Sequence, residues 1–183
     1  IGRSIIKTSA LKKEQLYIKA PAIVFDSQEE LKSAFHNGEL EKDFIAVVRF
    51  QGPKANGMPE LHGLLPSLGV IQDKGFKVAI VTDGRMSGAS GKVPSAIHLV
   101  KEAAQGGIIS LIKSGDIICL DIKNSELTLK VSEKELDKRK TNNMNKNKNS
   151  YNFGRELFST IRNNISSAEE GASIFDIVGN ERS

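Results

Sequence analysis

The sequence predicts a mixed α/β domain, and three observations carry the prediction. Two nearly continuous apolar runs of strand type, Phe44 to Phe50 and Lys77 to Val81, each lead directly into a Gly-rich loop. Between them lie apolar residues at helical spacing, which makes a strand-loop-helix-strand-loop unit. Farther on, short apolar runs are separated by turn residues, so strands outnumber long helices and the order of elements is mixed.

Taken in order, IGRSIIKTSA reads as a strand entering a fold, and with no initiator Met it is expected to continue from a preceding segment. Ala20 to Phe25 has strand composition. Ser27-Gln28-Glu29-Glu30 is a capping-box pattern that starts a helix through Phe35 and ends it near Gly38. FIAVVRF then suits a strand buried on both faces. Leu61, Leu64, Leu65, Leu68 and Ile71 follow at helical spacing, with Pro66 starting or kinking that helix. KVAIV is the second buried strand. Ala96 to Ala104 fits a helix or an irregular segment. Ile108–Ile112, Asp116–Ile122 and Glu126–Val131 read as a three-stranded meander with turns at Ser114-Gly115 and Lys123 to Ser125. A charged helix from Glu133 to Lys140 follows Ser132 as N-cap. The body is thus expected over residues 1–140. Residues 141–150, TNNMNKNKNS, are expected to be a polar linker. A helical tail over 151–183 carries Leu157, Phe158, Ile161 and Ile165 on one face, then a second short helix capped by Ser167-Ala168-Glu169-Glu170 that ends near Phe175, and this face is expected to bury against the body or a partner.

Composition narrows the function. The net charge of +4 resides in Lys130 to Lys148, which holds seven Lys/Arg against three Asp/Glu. No aromatic residue interleaves with those charges, so a solvated segment fits better than a nucleic-acid face. No apolar run reaches membrane-spanning length and no signal-peptide layout opens the chain, so a cytoplasmic protein is expected. Cys119 is the single cysteine, which rules out an internal disulfide and an iron-sulfur cluster ligated by this chain alone.

Chemistry is expected in the loops Gln51–His62 and Thr82–Lys92, because loops at strand carboxyl ends usually form the site. Glycines there let the backbone approach a ligand, and Lys54, Arg85 and Lys92 suit a carboxylate or a phosphate. Pro59 stiffens the presentation of the Glu60 carboxylate, which suits magnesium, although from spacing alone a helix-start carboxylate ranks first. A Ser among glycines, such as Ser87, is ordinarily a turn residue. An ATPase loop is set aside, since six residues rather than four separate Gly84 from Gly91 and Val93 follows Lys92. Arg49 fits the structural end of its strand. His36, His62 and His98 lack the spacing of a zinc site, and Cys119 suits a buried strand position.

VRFQGPKANGMPELH and VTDGRMSGASGKVPSAIH resemble the dihydroxy-acid dehydratase family in its carboxyl-terminal part. The wider pattern is met by Gly52-Pro53-Lys54, Gly57-Met58-Pro59-Glu60, Asp83-Gly84-Arg85, Ser87-Gly88 and Glu102-Ala103-Ala104 with Gly106-Gly107. The resemblance covers most of the chain and is weakest between Lys134 and Ser150. It implies a β-barrel-like, swivelling β/β/α domain flanked by helices, preceded in the intact enzyme by a large amino-terminal domain that holds an iron-sulfur cluster. It also implies dehydration of 6-phosphogluconate by a cytoplasmic homodimer, with Glu60 as a magnesium ligand and Ser87 as the base. A cluster ligand from this chain is not implied, and the chain alone is expected to be inactive. SGASGKVPSAIH departs from the SGG-T pattern of the branches that take branched-chain dihydroxy acids or unphosphorylated sugar acids. A non-catalytic phosphate- or protein-binding module is the competing reading of another class.

Overall fold

The computed structural model describes residues 1–87, 91–143 and 153–175. Seven strands, β1 (Arg3–Ile6), β2 (Tyr17–Phe25), β3 (Phe44–Val48), β4 (Val78–Thr82), β5 (Ser95–Val100), β6 (Ile117–Asp121) and β7 (Glu126–Leu129), form one mixed sheet in the order β1-β5-β4-β3-β2-β6-β7. The four central strands, β5, β4, β3 and β2, run parallel, and β1, β6 and β7 are antiparallel to their neighbours. The sheet curls into a half-barrel whose edges meet where the amine of Ile1 donates to the Leu127 carbonyl at 2.9 Å. This is the mixed, barrel-like class that the sequence and its resemblance imply.

Burial explains why β3 and β4 are written as unbroken apolar runs. On one face Phe44, Ala46, Val48, Val78 and Ile80 pack under α1 (Gln28–His36) and α3 (Leu65–Asp73), against Leu31, Leu64, Leu68 and Ile71. Ile45, Val47, Ala79 and Val81 face the inside of the curl with Ile18, Leu99, Ile109, Ile112 and Ile118. A residue exposed on either face would break one of these cores, so the period-two alternation of a half-buried strand is lost. Truncating a fully buried side chain such as Leu68 to Ala costs about 2–5 kcal/mol in sites of this kind.

Local signals behave as their chemistry requires. The Ser27 hydroxyl accepts from the Glu30 amide while the Glu30 carboxylate accepts from the Asp26 amide, which opens α1. Pro66 sits in the first turn of α3, behind a 3-10 turn over His62–Leu64, so it starts the helix and does not kink it.

Two stretches depart from expectation. Ile108–Ile112 is not a strand, since Ile108–Leu111 is a 3-10 turn in which Ser110 bonds the Gly107 carbonyl through both its amide and its hydroxyl. Its Ile109 and Ile112 still fill the inner core and Leu111 is buried, and a short apolar run cannot tell these conformations apart. Ala96 to Ala104, left open between helix and irregular structure, divides into most of β5 and a 3-10 turn over Ala103–Gln105.

α4 (Glu133–Asn143) runs three residues into the stretch expected as a linker; residues 144–150 lie outside the described residues. Arg139 fixes this helix, donating to both Asp116 oxygens at 2.5 and 3.0 Å and to the Leu111 carbonyl at 3.1 Å. In the tail, α5 (Phe153–Leu157) and α6 (Ser159–Asn164) replace one helix, and Leu157 and Phe158 are exposed, 62% and 52%. Ser167 and Glu170 form the expected reciprocal cap, but on a 3-10 turn of three residues, Ala168–Glu170. Among the described residues no helix is long and apolar enough to cross a membrane.

Candidate functional site

The two loops leave the carboxyl ends of β3 and β4, and because those strands pair in register, Val48 opposite Thr82, the loops start side by side. In the first loop Gly52 caps a single helical turn, α2 (Pro53–Asn56), which ends on Gly57 in the left-handed region, φ 70°. Met58 is left-handed too, at φ 54°. This reversal brings Glu60 back against the second loop, where it makes an isolated parallel bridge with Arg85 and the Leu61 amide donates to the Arg85 carbonyl at 3.1 Å.

Glu60 is the centre of a charged cluster. Its Oε1 accepts from the Ser87 amide at 2.7 Å and the His62 amide at 3.0 Å. Its Oε2 accepts from Nη1 of Arg85 at 2.7 Å, and Arg85 Nε donates to the Met58 carbonyl at 2.9 Å. The side chains of Arg85 and Glu60 are 48% and 35% exposed, so the cluster can meet a solute. Three of the residues singled out from sequence, Glu60, Arg85 and Ser87, are therefore brought together.

The other two cations are placed differently. Lys54, in α2, donates its amide to Glu102 at 3.0 Å and its Nζ to the Asn163 carbonyl of α6 at 3.2 Å, so it borders the first loop and the tail. Lys92 lies on the entry side of β5, where its Nζ meets both oxygens of Asp73 in α3 at 2.8 and 2.9 Å. That carboxylate, and not the Glu60 cluster, holds it. Arg49 is structural: it pairs with Asp26 and donates to the Ser110 and Ile112 carbonyls at 3.0 and 3.2 Å.

Beneath the cluster lies a support that sequence reasoning did not single out. Asp83, fully buried, accepts from the amides of Gln51 at 2.9 Å and Ala103 at 2.8 Å. Glu102, 4% exposed, accepts from the amides of Lys54 at 3.0 Å and Ala55 at 3.1 Å. These carboxylates tie the first loop, the root of the second and the turn after β5 into one unit. Burial pushes the Asp83 carboxyl above its ordinary range in spite of its amide donors. Burial does the same to Glu102, and the nearby Asp83 charge adds to it. Gly52 is required here, since a Cβ on it would fall 2.2 Å from a Glu102 oxygen. The available signal was positional: Asp83 directly follows a doubly buried strand, and Glu102 belongs to the EAA turn.

His98, set aside from sequence only as a zinc ligand, has a distinct place in the structure. It is a left-handed residue, φ 55°, and its amide donates to the Gly84 carbonyl at 2.9 Å. Burial, and then the Arg85 charge, lowers its pKa. His36 ends α1 and packs edge-on against Phe35 at 5.8 Å. Cys119 is buried in β6.

Among the described residues no three His, Cys, Asp or Glu side chains converge as a complete metal site. One carboxylate on a stiff loop does fit a hard cation such as magnesium, which takes few protein ligands and completes its shell with water and substrate. A lone buried thiol does not fit an iron-sulfur cluster.

The chain is 55% identical over 183 residues to a phosphogluconate dehydratase of Helicobacter pylori, an alignment that takes in 97% of this chain and 30% of that protein. It is 52% identical over 173 residues to the phosphogluconate dehydratase of Escherichia coli, with 94% and 29% covered. A dihydroxy-acid dehydratase of Pyrococcus furiosus is 42% identical over 139 residues, 75% of this chain and 24% of the relative. The chain thus spans about 30% of the length of the curated relatives it matches. With the family model for the dihydroxy-acid/6-phosphogluconate dehydratase C-terminal domain matching residues 1–172, the chain belongs to that family.

Proposed function

We propose that the intact protein removes water from 6-phosphogluconate to give 2-keto-3-deoxy-6-phosphogluconate, and that this chain supplies the base, one magnesium ligand and part of the anion-binding rim. The observation that carries the reading is the convergence of Glu60, Arg85 and Ser87 from two loops onto one carboxylate. Similarity to proteins named phosphogluconate dehydratase supports the substrate. The reading extends to a cytoplasmic homodimer whose iron-sulfur ligands come from beyond this chain, as the family resemblance implies.

Glu60 would be this chain's ligand to magnesium. Metal bound there would supply positive charge that favours loss of the proton next to the substrate's carboxylate and stabilises an ionised serine. Ser87 is held at Glu60 by its own amide, so its hydroxyl has a defined origin from which to take that proton. Arg85 is anchored through Nε at Met58 and can turn its terminal nitrogens between Glu60 and a substrate anion. Lys54 is the second cation of the rim.

The test is turnover of the purified full-length protein on 6-phosphogluconate, gluconate and a branched 2,3-dihydroxy acid. Selective dehydration of the phosphorylated acid is expected. Equal rates on gluconate would overturn the phosphate assignment, and preference for the branched acid would favour the activity named for the Pyrococcus relative.

A further inference from the structure

β5 is irregular at one place. Ile97 pairs with Ile5 and Val100 with Arg3, so three steps along β5 face two along β1. The additional residue lies between Ile97 and Val100, where His98 takes the left-handed conformation. Bulges of this kind re-aim a side chain, and they recur beside active sites. Here the bulge is tied to the second loop by the bond from the His98 amide to the Gly84 carbonyl, one residue before Arg85.

His98 is partly buried and is among the residues that line a cavity of about 440 Å³ at the seam of the half-barrel. The polar wall consists of Ser4, Ser125, Asp121 and Glu126, with Arg3 paired to Glu169 at its rim. Such a wall offers hydroxyls and carboxylates and has one cation, already matched, so it suits neutral hydroxyl groups and not a phosphate. His98 borders this cavity, its amide is bonded to Gly84 beside Arg85, and the Arg85 charge acts on it. It lies between the hydroxyl- and carboxylate-lined cavity and the anion-binding cluster.

Resting on the function proposed above, we infer that His98 is a substrate-contacting residue that reads a hydroxyl of the sugar acid beside the carboxylate held at the Glu60–Arg85 cluster. A neutral imidazole presents one donor and one acceptor, the same pair that a hydroxyl presents. The backbone bulge aims the ring, and the ring makes the contact.

The test uses the full-length enzyme with His98→Gly, which keeps the left-handed backbone and removes the ring, and with His98→Asn, which keeps the conformation and a shorter donor and acceptor. Substrate affinity by calorimetry, kcat and KM are measured on 6-phosphogluconate and on analogues each lacking one hydroxyl that the reaction retains. His98→Gly is expected to lose about tenfold in kcat/KM, the loss of one good hydrogen bond, with an unchanged unfolding midpoint. His98→Asn should recover part of it. One deoxy analogue should be penalised by the wild type and not by His98→Gly. Unchanged affinity and turnover in His98→Gly, or the same penalty for every analogue in both proteins, would overturn this inference alone. A wild-type enzyme that binds no sugar acid would overturn the proposed function and this inference together.

Discussion

Two groups of carboxylates lie within the same pair of loops and do opposite things. Asp83 and Glu102 are buried and accept only backbone amides in the bonds described, whereas Glu60 is a third exposed and accepts a guanidinium as well as two amides. A buried carboxylate surrounded by amides serves as a geometric device, because its charge is costly and its acceptors are fully committed. An accessible one that shares a half-exposed cation can exchange partners. The loops are thus shaped by one group and put to use by the other.

The comparison is broken most severely at Asp83. Asp83→Ala leaves the Gln51 and Ala103 amides without their acceptor, and each orphaned donor costs about 1–3 kcal/mol. Thermal unfolding of the 183-residue chain should fall steeply, and a fall as small as that of a surface substitution would remove Asp83 from the support. Next comes Ser87→Ala in the full-length enzyme, expected to abolish turnover with stability and substrate affinity kept. Solvent deuterium still entering at the carbon beside the carboxylate would assign the base elsewhere. Glu60→Gln should mainly weaken magnesium binding, with unfolding shifted by less than Asp83→Ala shifts it.

Acid titration sharpens the same contrast with a smaller effect. Asp83 and Glu102 have folded-state values raised above the ordinary 3.8 and 4.5, so folding takes up protons and their contribution to stability declines as pH rises through that window. Asp116 behaves in the opposite sense: burial pushes it up, but Arg139 outweighs burial and holds it below 3.8. Its contribution is complete above 3.8 and is lost as pH falls through the depressed value. Asp116→Asn should therefore flatten the most acidic limb of the unfolding curve, and Asp83→Asn the window above it. A curve unchanged in both variants would show that these groups do not govern the acid response. The smallest effect is expected for Lys92→Ala, since an exposed pair with Asp73 contributes about 0–1 kcal/mol. A large rise in KM would return Lys92 to the substrate rim.

How much could be read beforehand follows the range of the forces involved. β3, β4, α1 and α4 were legible because apolar runs and caps are local. Glu60, Arg85 and Ser87 were legible because their motifs are contiguous. The turn at Ile108 was not, since its apolar residues satisfy the inner core in either conformation. Nor was β5, whose partners lie far away in sequence and which carries a bulge. Lys92 reads as a loop cation until α3 places Asp73 beside it. Asp83 and Glu102 were written in the motifs, but their role depends on amides contributed by two separate segments, the first loop and the turn after β5.

The meeting of Ile1 with Leu127 has a consequence for the domain in solution. β1 and β7 are the two ends of the sheet, and each would present a row of unpaired backbone groups if the sheet lay flat. Curling brings the two edges together at that bond, so a strand adding there meets the molecule's own opposite edge. The half-barrel thereby guards against edge-to-edge aggregation through its shape, without the lysines or prolines that open sheets place along their borders.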